Sequence, residues 1–197
     1  MRKGECRRET RETQVAVSLV IEGSGRAHVA TGIGFLDHML EQLARHGGFD
    51  LTIQATGDTH VDCHHTVEDV GLALGVAFDE ALGERAGIHR FAHAYIAMDE
   101  ALTRAVVDVS GRPYLVWKAR FTQPRLGDLD TEMIEHFFRS FAMRAKLTLH
   151  VENLYGANNH HIAESAFKAV ARALREAVTC DPKAAGAVPS TKGVLNE

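Results

Sequence analysis

The chain has 197 residues, enough for one compact domain with a sizeable core, and its 45% hydrophobic and 24% charged content is that of an ordinary globular protein. A formal charge of −4 leaves no global basic field and argues against a nucleic-acid partner. No stretch approaches the roughly 18 apolar residues of a membrane span, and Cys6, Cys63 and Cys180 form neither a CxxC pair nor a disulfide framework, so the expected location is cytoplasmic, with no membrane partner.

Positive charge concentrates at the start, in Arg2, Lys3, Arg7, Arg8 and Arg11, which reads as a solvated or subunit-bridging arm. Gln14 to Glu22 alternates polar and apolar residues, Gly23-Ser24-Gly25 turns, and Arg26 to Thr31 returns, which predicts a β-hairpin. Phe35 to Arg45 carries Leu36, Met39, Leu40 and Leu43 on one side and predicts a helix that Gly47-Gly48 ends. Phe49 to Ala55 reads as a strand and His64 to Leu82 as a long helix closed by Gly83. Three strands are expected next, over 94–98, 101–109 and 114–121. Thr131 is a candidate N-cap for a helix over 132–145, followed by a strand at 147–151, a loop at 153–158 and a long helix from Asn159 to Thr179. Each half is then strands, helix, strand, helix, which favours a sheet with helices on one face. The expected fold is α/β of the two-layer α+β type, one domain over 1–197 built by duplicating a half-domain (about 10–90 and 91–180), plus a C-terminal tail.

The duplication is visible in the letters. His64-His65-Thr66-Val67-Glu68 returns 96 residues later as His160-His161-Ile162-Ala163-Glu164. At the same spacing Leu51-Thr52-Ile53 matches Leu147-Thr148-Leu149, Ala73 matches Ala169, Ala77 matches Ala173, and Glu80-Ala81 matches Glu176-Ala177. A lone histidine precedes each copy, His38 by 26 residues and His136 by 24, a difference assigned to the segment between that histidine and its following strand.

Six of the twelve histidines obey the repeat; the others, His28, His46, His60, His89, His93 and His150, read individually as surface or hydrogen-bonded residues. Three imidazoles and one carboxylate per copy suit a borderline-to-hard divalent ion and leave positions open on an octahedral metal such as Mn²⁺ or Fe²⁺. A closed structural zinc site would favour thiolates. Two sets imply two ions. Arg90, Arg112 and Ser190-Thr191-Lys192-Gly193 are suited to phosphate but equally to a solvated surface. Lys168 lies one helical turn beyond Glu164, and Gln42 and His46 follow His38 at one and two turns. A di-metal hydrolase would need a carboxylate bridging ions about 3.5–4 Å apart, for which the motifs offer no obvious aspartate. A non-catalytic, metal-stapled assembly protein would not need the phosphate-directed set.

Several segments together resemble one family. Arg8-Glu9-Thr10-Arg11-Glu12-Thr13, Phe35-Leu36-Asp37-His38-Met39-Leu40, Gly57-Asp58-Thr59-His60 with His64-His65-Thr66-Val67-Glu68-Asp69, Asp108-Val109-Ser110-Gly111-Arg112-Pro113-Tyr114-Leu115, His160-His161-Ile162-Ala163-Glu164 and Pro189-Ser190-Thr191-Lys192-Gly193 are similar to imidazoleglycerol-phosphate dehydratases, in the family's order, from about residue 4 to 195. The resemblance is to the stand-alone form and implies dehydration of imidazoleglycerol phosphate to imidazole acetol phosphate in histidine biosynthesis. It implies a large cubic homo-oligomer of about 24 subunits with two Mn²⁺ per subunit at subunit interfaces. Carried over, His38, His64, His65, Glu68, His136, His160, His161 and Glu164 are metal ligands. Glu12, Gln42, His46, Arg90, Arg112, Lys168, Ser190, Thr191 and Lys192 contact substrate, with Arg90, Arg112, Ser190 and Lys192 directed at its phosphate. Glu12, or a ligand carboxylate (Glu68 or Glu164), is the candidate proton shuttle, and Asp99 lies near the site. Two departures from the family pattern, Cys63 and Gly34, touch none of these residues.

Overall fold

The computed structural model describes residues 1–184 and 186–195 and contains two four-stranded sheets of the same design. The first half holds β1 (Lys3–Glu9), β2 (Thr13–Val20), β3 (Ala27–Ala30), α1 (Gly34–Gly47), β4 (Asp50–Gly57) and α2 (His64–Leu82). The second holds β5 (Phe91–Met98), β6 (Ala101–Asp108), β7 (Tyr114–Lys118), the two-residue strands β8 (Arg125–Leu126) and β9 (Leu129–Asp130), α3 (Glu132–Ala145), β10 (Thr148–Tyr155) and α4 (Asn159–Ala177). The sheet orders are β1-β2-β4-β3 and β5-β6-β10-β7, antiparallel except for the β3/β4 and β10/β7 pairs. Helices α2 and α4 cover their own sheets, and the halves meet helix on helix, α1 against α4 and α2 against α3. Buried side chains from both halves join in one apolar cluster. The fold is α/β, with sheets packed on helices and two similar halves, as the repeat suggests. Among the described residues no helix is long and apolar enough to cross a membrane.

Three local expectations are corrected. First, β2 and β3 are no hairpin: β4 lies between them, Val17 pairing Ile53 from one side and Val29 from the other. Leu51 and Ile53 are almost fully buried, so β4 takes the centre and the turn at Gly23 connects strands on either side of it. Second, the basic arm is edge strand β1, paired antiparallel to β2. Arg8 Nε donates to Asp69 at 2.7 Å, and Arg2 Nε to Glu22 at 2.6 Å. Third, Thr131 precedes α3 without capping it; its hydroxyl donates to the carbonyls of Gln123 and Pro124. Asn158 is the capping residue instead, its Oδ1 accepting the N–H groups of His160 and His161 at the start of α4.

The repeat also needs a new register. Leu51 pairs Leu19 and Ala27, whereas Leu149 pairs Val107 and Leu115, so Leu51 corresponds to Leu149, 98 residues on, rather than to Leu147. Helices α1 and α3 share that spacing, as do His38 and His136. The two-residue difference therefore falls after the strand, in the longer connection from Gly57 to His64.

The edge strand crosses α2 closely. A Cβ on Gly4 would stand 1.9 Å from the Ala77 carbonyl oxygen, so β1 can lie on this helix only with glycine there. Gly4→Ala is expected to lower stability by about 1–3 kcal/mol, as overpacking does. Denaturant titration should show a lower midpoint at unchanged slope.

Candidate functional site

The two halves exchange histidines. His38, at the start of α1, meets His160 and Glu164 at the start of α4; His136, on α3, meets His64 and Glu68 at the start of α2. This follows from the helix pairing: α1 lies beside α4 and α3 beside α2, so each lone histidine faces the HHxxE segment of the other half. In each group the three donor atoms lie within 4.8 Å of one another.

In the first group His38 Nε2 and His160 Nε2 stand 3.1 and 2.9 Å from Glu164 Oε2, and Lys168 Nζ is 2.6 Å from Oε1. Phe35 sets its ring edge-on to His160, with centroids 5.3 Å apart. Burial works against the charge on Glu164, but hydrogen bonds from Lys168, His160 and His38 outweigh it and hold the carboxyl at about 2. In the second group His136 Nε2 is 3.1 Å from Glu68 Oε1, and the His64 and His136 rings lie 4.7 Å apart. Among the described residues no lysine or arginine pairs with Glu68 as Lys168 does with Glu164, and Glu68 is more exposed.

Both groups fit a divalent ion. Adjacent donors on an octahedral ion with bonds of about 2.1 Å lie about 3 Å apart, the spacing of these imidazole–carboxylate pairs. Two imidazoles and one carboxylate are the donor set of a first-row metal with open positions. No residue belongs to both groups, so among the described residues no carboxylate bridges them, as the hydrolase reading would require.

His65 and His161 stay outside these groups. His65 Nδ1 faces Asp58, at 3.0 and 3.2 Å from its two oxygens, with Glu12 at 3.7 Å. His161 Nδ1 lies 2.7 Å from Glu100 Oε2, and Asp99 is 3.7 Å from Nε2. Both imidazoles have raised pKa values, His65 chiefly through Asp58 and His161 chiefly through Glu100. Glu100 is held at about 2 by the Asn158 N–H, by His161 and by the Ala157 N–H. Asp58 and Glu100 are not among the candidates the sequence offers: the first stands only within the Gly57-Asp58-Thr59-His60 segment, the second next to Asp99.

The residues expected to contact substrate divide into separate places. Gln42, His46 and Lys168 share the α1/α4 seam beside Glu164, with His46 Nε2 donating to Gln42 Oε1 at 3.2 Å. Burial, then the charges of Lys168 and Arg172, lower the His46 pKa, so this ring is neutral near pH 7. Ser190 and Lys192 line a shallow cleft with Ser110, Gly111 and Arg112. Arg90 adjoins it, donating to Asp108 at 2.7 and 3.2 Å and to the Pro189 carbonyl at 2.7 Å, so it ties the tail to the end of β6. Arg112 Nη2 is 3.8 Å from the same Asp108, and Thr191 is exposed beside the cleft. The Arg90 N–H donates to Ala177 at the C-terminal end of α4, whereas His160 stands at the N-terminal end. A 19-residue helix is about 28 Å long, so within one chain the cleft and the candidate metal group of His38, His160 and Glu164 lie at opposite ends of α4.

A family sequence model described as imidazoleglycerol-phosphate dehydratase matches residues 31–174. The chain belongs to the imidazoleglycerol-phosphate dehydratase family. An imidazoleglycerol-phosphate dehydratase of Zymomonas mobilis is 62% identical over 188 residues, covering 95% of this chain and 96% of its own. One of Phenylobacterium zucineum is 57% identical over 194 residues, covering 98% and 99%. Among solved structures, the imidazoleglycerol-phosphate dehydratase of Staphylococcus aureus superposes with a TM-score of 0.82 at 38% identity, covering 91% of this chain and 99% of that one. The Pyrococcus furiosus enzyme, solved in complex with (S)-C348, gives 0.82 at 36% identity, covering 96% and 99%. Imidazoleglycerol-phosphate dehydratases are hydro-lyases, named for a reaction of histidine biosynthesis, and this chain is accordingly a hydro-lyase.

Proposed function

We propose that this enzyme removes water from D-erythro-imidazoleglycerol phosphate to give imidazole acetol phosphate, with two Mn²⁺ per subunit. The pairing of two separate imidazole–carboxylate groups across the halves carries this reading. His38, His160 and Glu164 hold one ion, and His64, Glu68 and His136 the other. His65 and His161 supply the remaining protein ligands to ions on neighbouring subunits. The distance between the cleft at Ser190 and the His38, His160 and Glu164 group at the other end of α4 supports the same arrangement, because no small substrate spans a helix length. Active sites between chains then require a homo-oligomer, in keeping with the cubic assembly the resemblance implies, and the cytoplasm is its expected compartment. The 197 residues act together as one dehydratase domain of two repeated halves and a tail.

In this reading the bound ions act as Lewis acids and templates for the imidazole ring. The chain's own residues do the rest. Arg112, Ser190, Thr191 and Lys192 bind the phosphate, with Arg90 holding their segment in place; Gln42, His46 and Lys168 line the ring side. Glu12 takes the C2 proton and, as the proton shuttle, delivers a proton to the departing C3 hydroxyl, which leaves as water as the C2–C3 double bond forms; the resulting enol ketonises to the product. Glu68 and Glu164, as ligand carboxylates, are the alternative proton carriers.

Conversion of imidazoleglycerol phosphate, followed with and without added Mn²⁺ after metal removal, tests the proposal: no product in the presence of Mn²⁺ overturns it. Lys192→Ala should keep both ions yet weaken substrate binding by about 1.5–3 kcal/mol, the worth of a charge-assisted phosphate contact. That is roughly a tenfold to hundredfold rise in substrate dissociation constant. Unchanged binding would make the tail purely structural.

A further inference from the structure

His65 and His161 present Nδ1 to a carboxylate in both halves, and a carboxylate can only accept a hydrogen bond. The ring proton therefore sits on Nδ1, and Nε2 keeps its lone pair. This is the arrangement by which a second carboxylate orients a ligating histidine.

The two carboxylates are not duplicates of one another. Strands β2 and β6 correspond at a spacing of 88 residues, so the duplicate of Glu100 is Glu12. Strands β4 and β10 correspond at 98, which sets Gly156 opposite Asp58. The first half has an acid in its longer β4–α2 connection and the second has none. Where Asp58 is present it takes Nδ1 of His65, and Glu12 stands off at 3.7 Å with a side chain 55% exposed. Where it is missing, Glu100 takes Nδ1 of His161 and also accepts the N–H groups of Ala157 and Asn158, at 3.0 and 2.7 Å. Both oxygens of Glu100 are thus engaged.

We infer that Asp58 and Glu100 are positioning residues, holding His65 and His161 in the tautomer whose Nε2 can ligate a metal outside the chain, and that Asp58, by taking this task in the first half, releases Glu12 for proton transfer. The inference rests on the proposed ligand role of His65 and His161. It divides two duplicated glutamates: one is committed to a histidine, the other is left for chemistry.

Titrating the metal-free full-length protein with Mn²⁺ alone tests it. Asp58→Ala and Glu100→Gln should each weaken one of the two ions by about 10–100-fold, the usual loss when a histidine's orienting partner is removed. Asp58→Asn keeps an oxygen that accepts from Nδ1–H and should stay close to the parent protein, a rescue that a purely structural turn residue has no reason to show. Glutamine at 100 has one acceptor oxygen where three donors converge, so it cannot serve both the backbone and His161. It also gives a reading should Asp58→Ala not fold. Glu12→Gln should bind both ions normally and lose kcat. His65→Ala is the reference and should lose one ion. If Asp58→Ala and Glu100→Gln bind Mn²⁺ like the parent while His65→Ala has lost an ion, positioning is wrong and the ligand reading survives. If His65→Ala keeps both ions at full affinity, both fall. If Glu12→Gln and Glu100→Gln weaken Mn²⁺ equally, the division between the duplicates is wrong.

Discussion

Glu164→Ala is expected to empty one metal group and abolish turnover. Among the described residues each group supplies three donors from one chain, and in the first group Glu164 is the sole carboxylate. Its side chain is 8% exposed, and its oxygens collect His38, His160 and Lys168. Removing it leaves two imidazoles and the Lys168 ammonium pointing into the place of a dication, which repels the ion as well as failing to bind it. A Lewis acid contributes several kcal/mol to such a reaction, so kcat should fall by more than about a thousandfold. Metal content and kinetics measured on one preparation decide the matter: one ion per subunit with negligible activity is the expected pair, and two ions with ordinary activity would remove Glu164 from the ligand set. The carboxylate also contributes to the metal-free fold, with a definite sign. Held at about 2 against an ordinary value of 4.5, its stabilisation is present above 4.5 and is lost as pH falls toward 2. Glu164→Ala should therefore flatten the acid limb of the metal-free protein's stability curve.

The candidate ligand motifs were legible because duplication wrote them twice: two copies of HHxxE, each preceded by a histidine, stand out from twelve histidines scattered along the chain. Their pairing was not, because a helix-on-helix dimer of halves can place each lone histidine with its own motif or with the other one, and only the docking of α1 on α4 decides. The strand register was hidden for a different reason. Side chains alternate with a period of two, so sliding Leu51-Thr52-Ile53 two places onto Leu147-Thr148-Leu149 keeps every buried residue buried. Strand β1 gave no signal at all. Its inward positions are Gly4, Cys6 and Arg8, two small residues against α2 and an arginine neutralised by Asp69, so hydrophobic alternation had nothing to mark. The sheet order failed in turn because short-range logic joins β2 to β3, whereas burial of Leu51 and Ile53 awards the central place to β4, later in the chain. Asp58 escaped notice because it does not repeat, Gly156 standing at the matching position, and Glu100 because its duplicate, Glu12, leaves the histidine to Asp58. Each half recruits its acid from a different loop, and self-similarity cannot reveal that.

Stripping the metal is expected to break the assembly into smaller species. In the proposed arrangement His65 and His161 ligate ions held by neighbouring chains, so each ion is a shared ligand whose binding is linked to association. At a free concentration a thousand times its dissociation constant, one such site adds about 4 kcal/mol to the assembled state, and every subunit has two. Chelation removes that term and leaves the apo surfaces to hold alone, with His65 beside Asp58 and His161 beside Glu100. Light scattering should show the mass fall on chelation and recover on return of Mn²⁺, and His65→Ala combined with His161→Ala should imitate chelation with the metal present. Acid should act in the same direction. Coordination needs neutral imidazole, and Asp58 and Glu100 raise the pKa values of these two rings, so protons compete with the ion from above the ordinary histidine value of about 6.5. For the metal-free chain the sign reverses: the raised values stabilise the fold below about 6.5, and that contribution is lost as pH rises through them. Loaded protein should therefore lose mass as pH falls from 8 to 6, while metal-free protein shows no such loss from these two rings. An undiminished mass after verified metal removal would mean that both centres are completed within one chain, and that the outward-facing histidines serve their carboxylates alone.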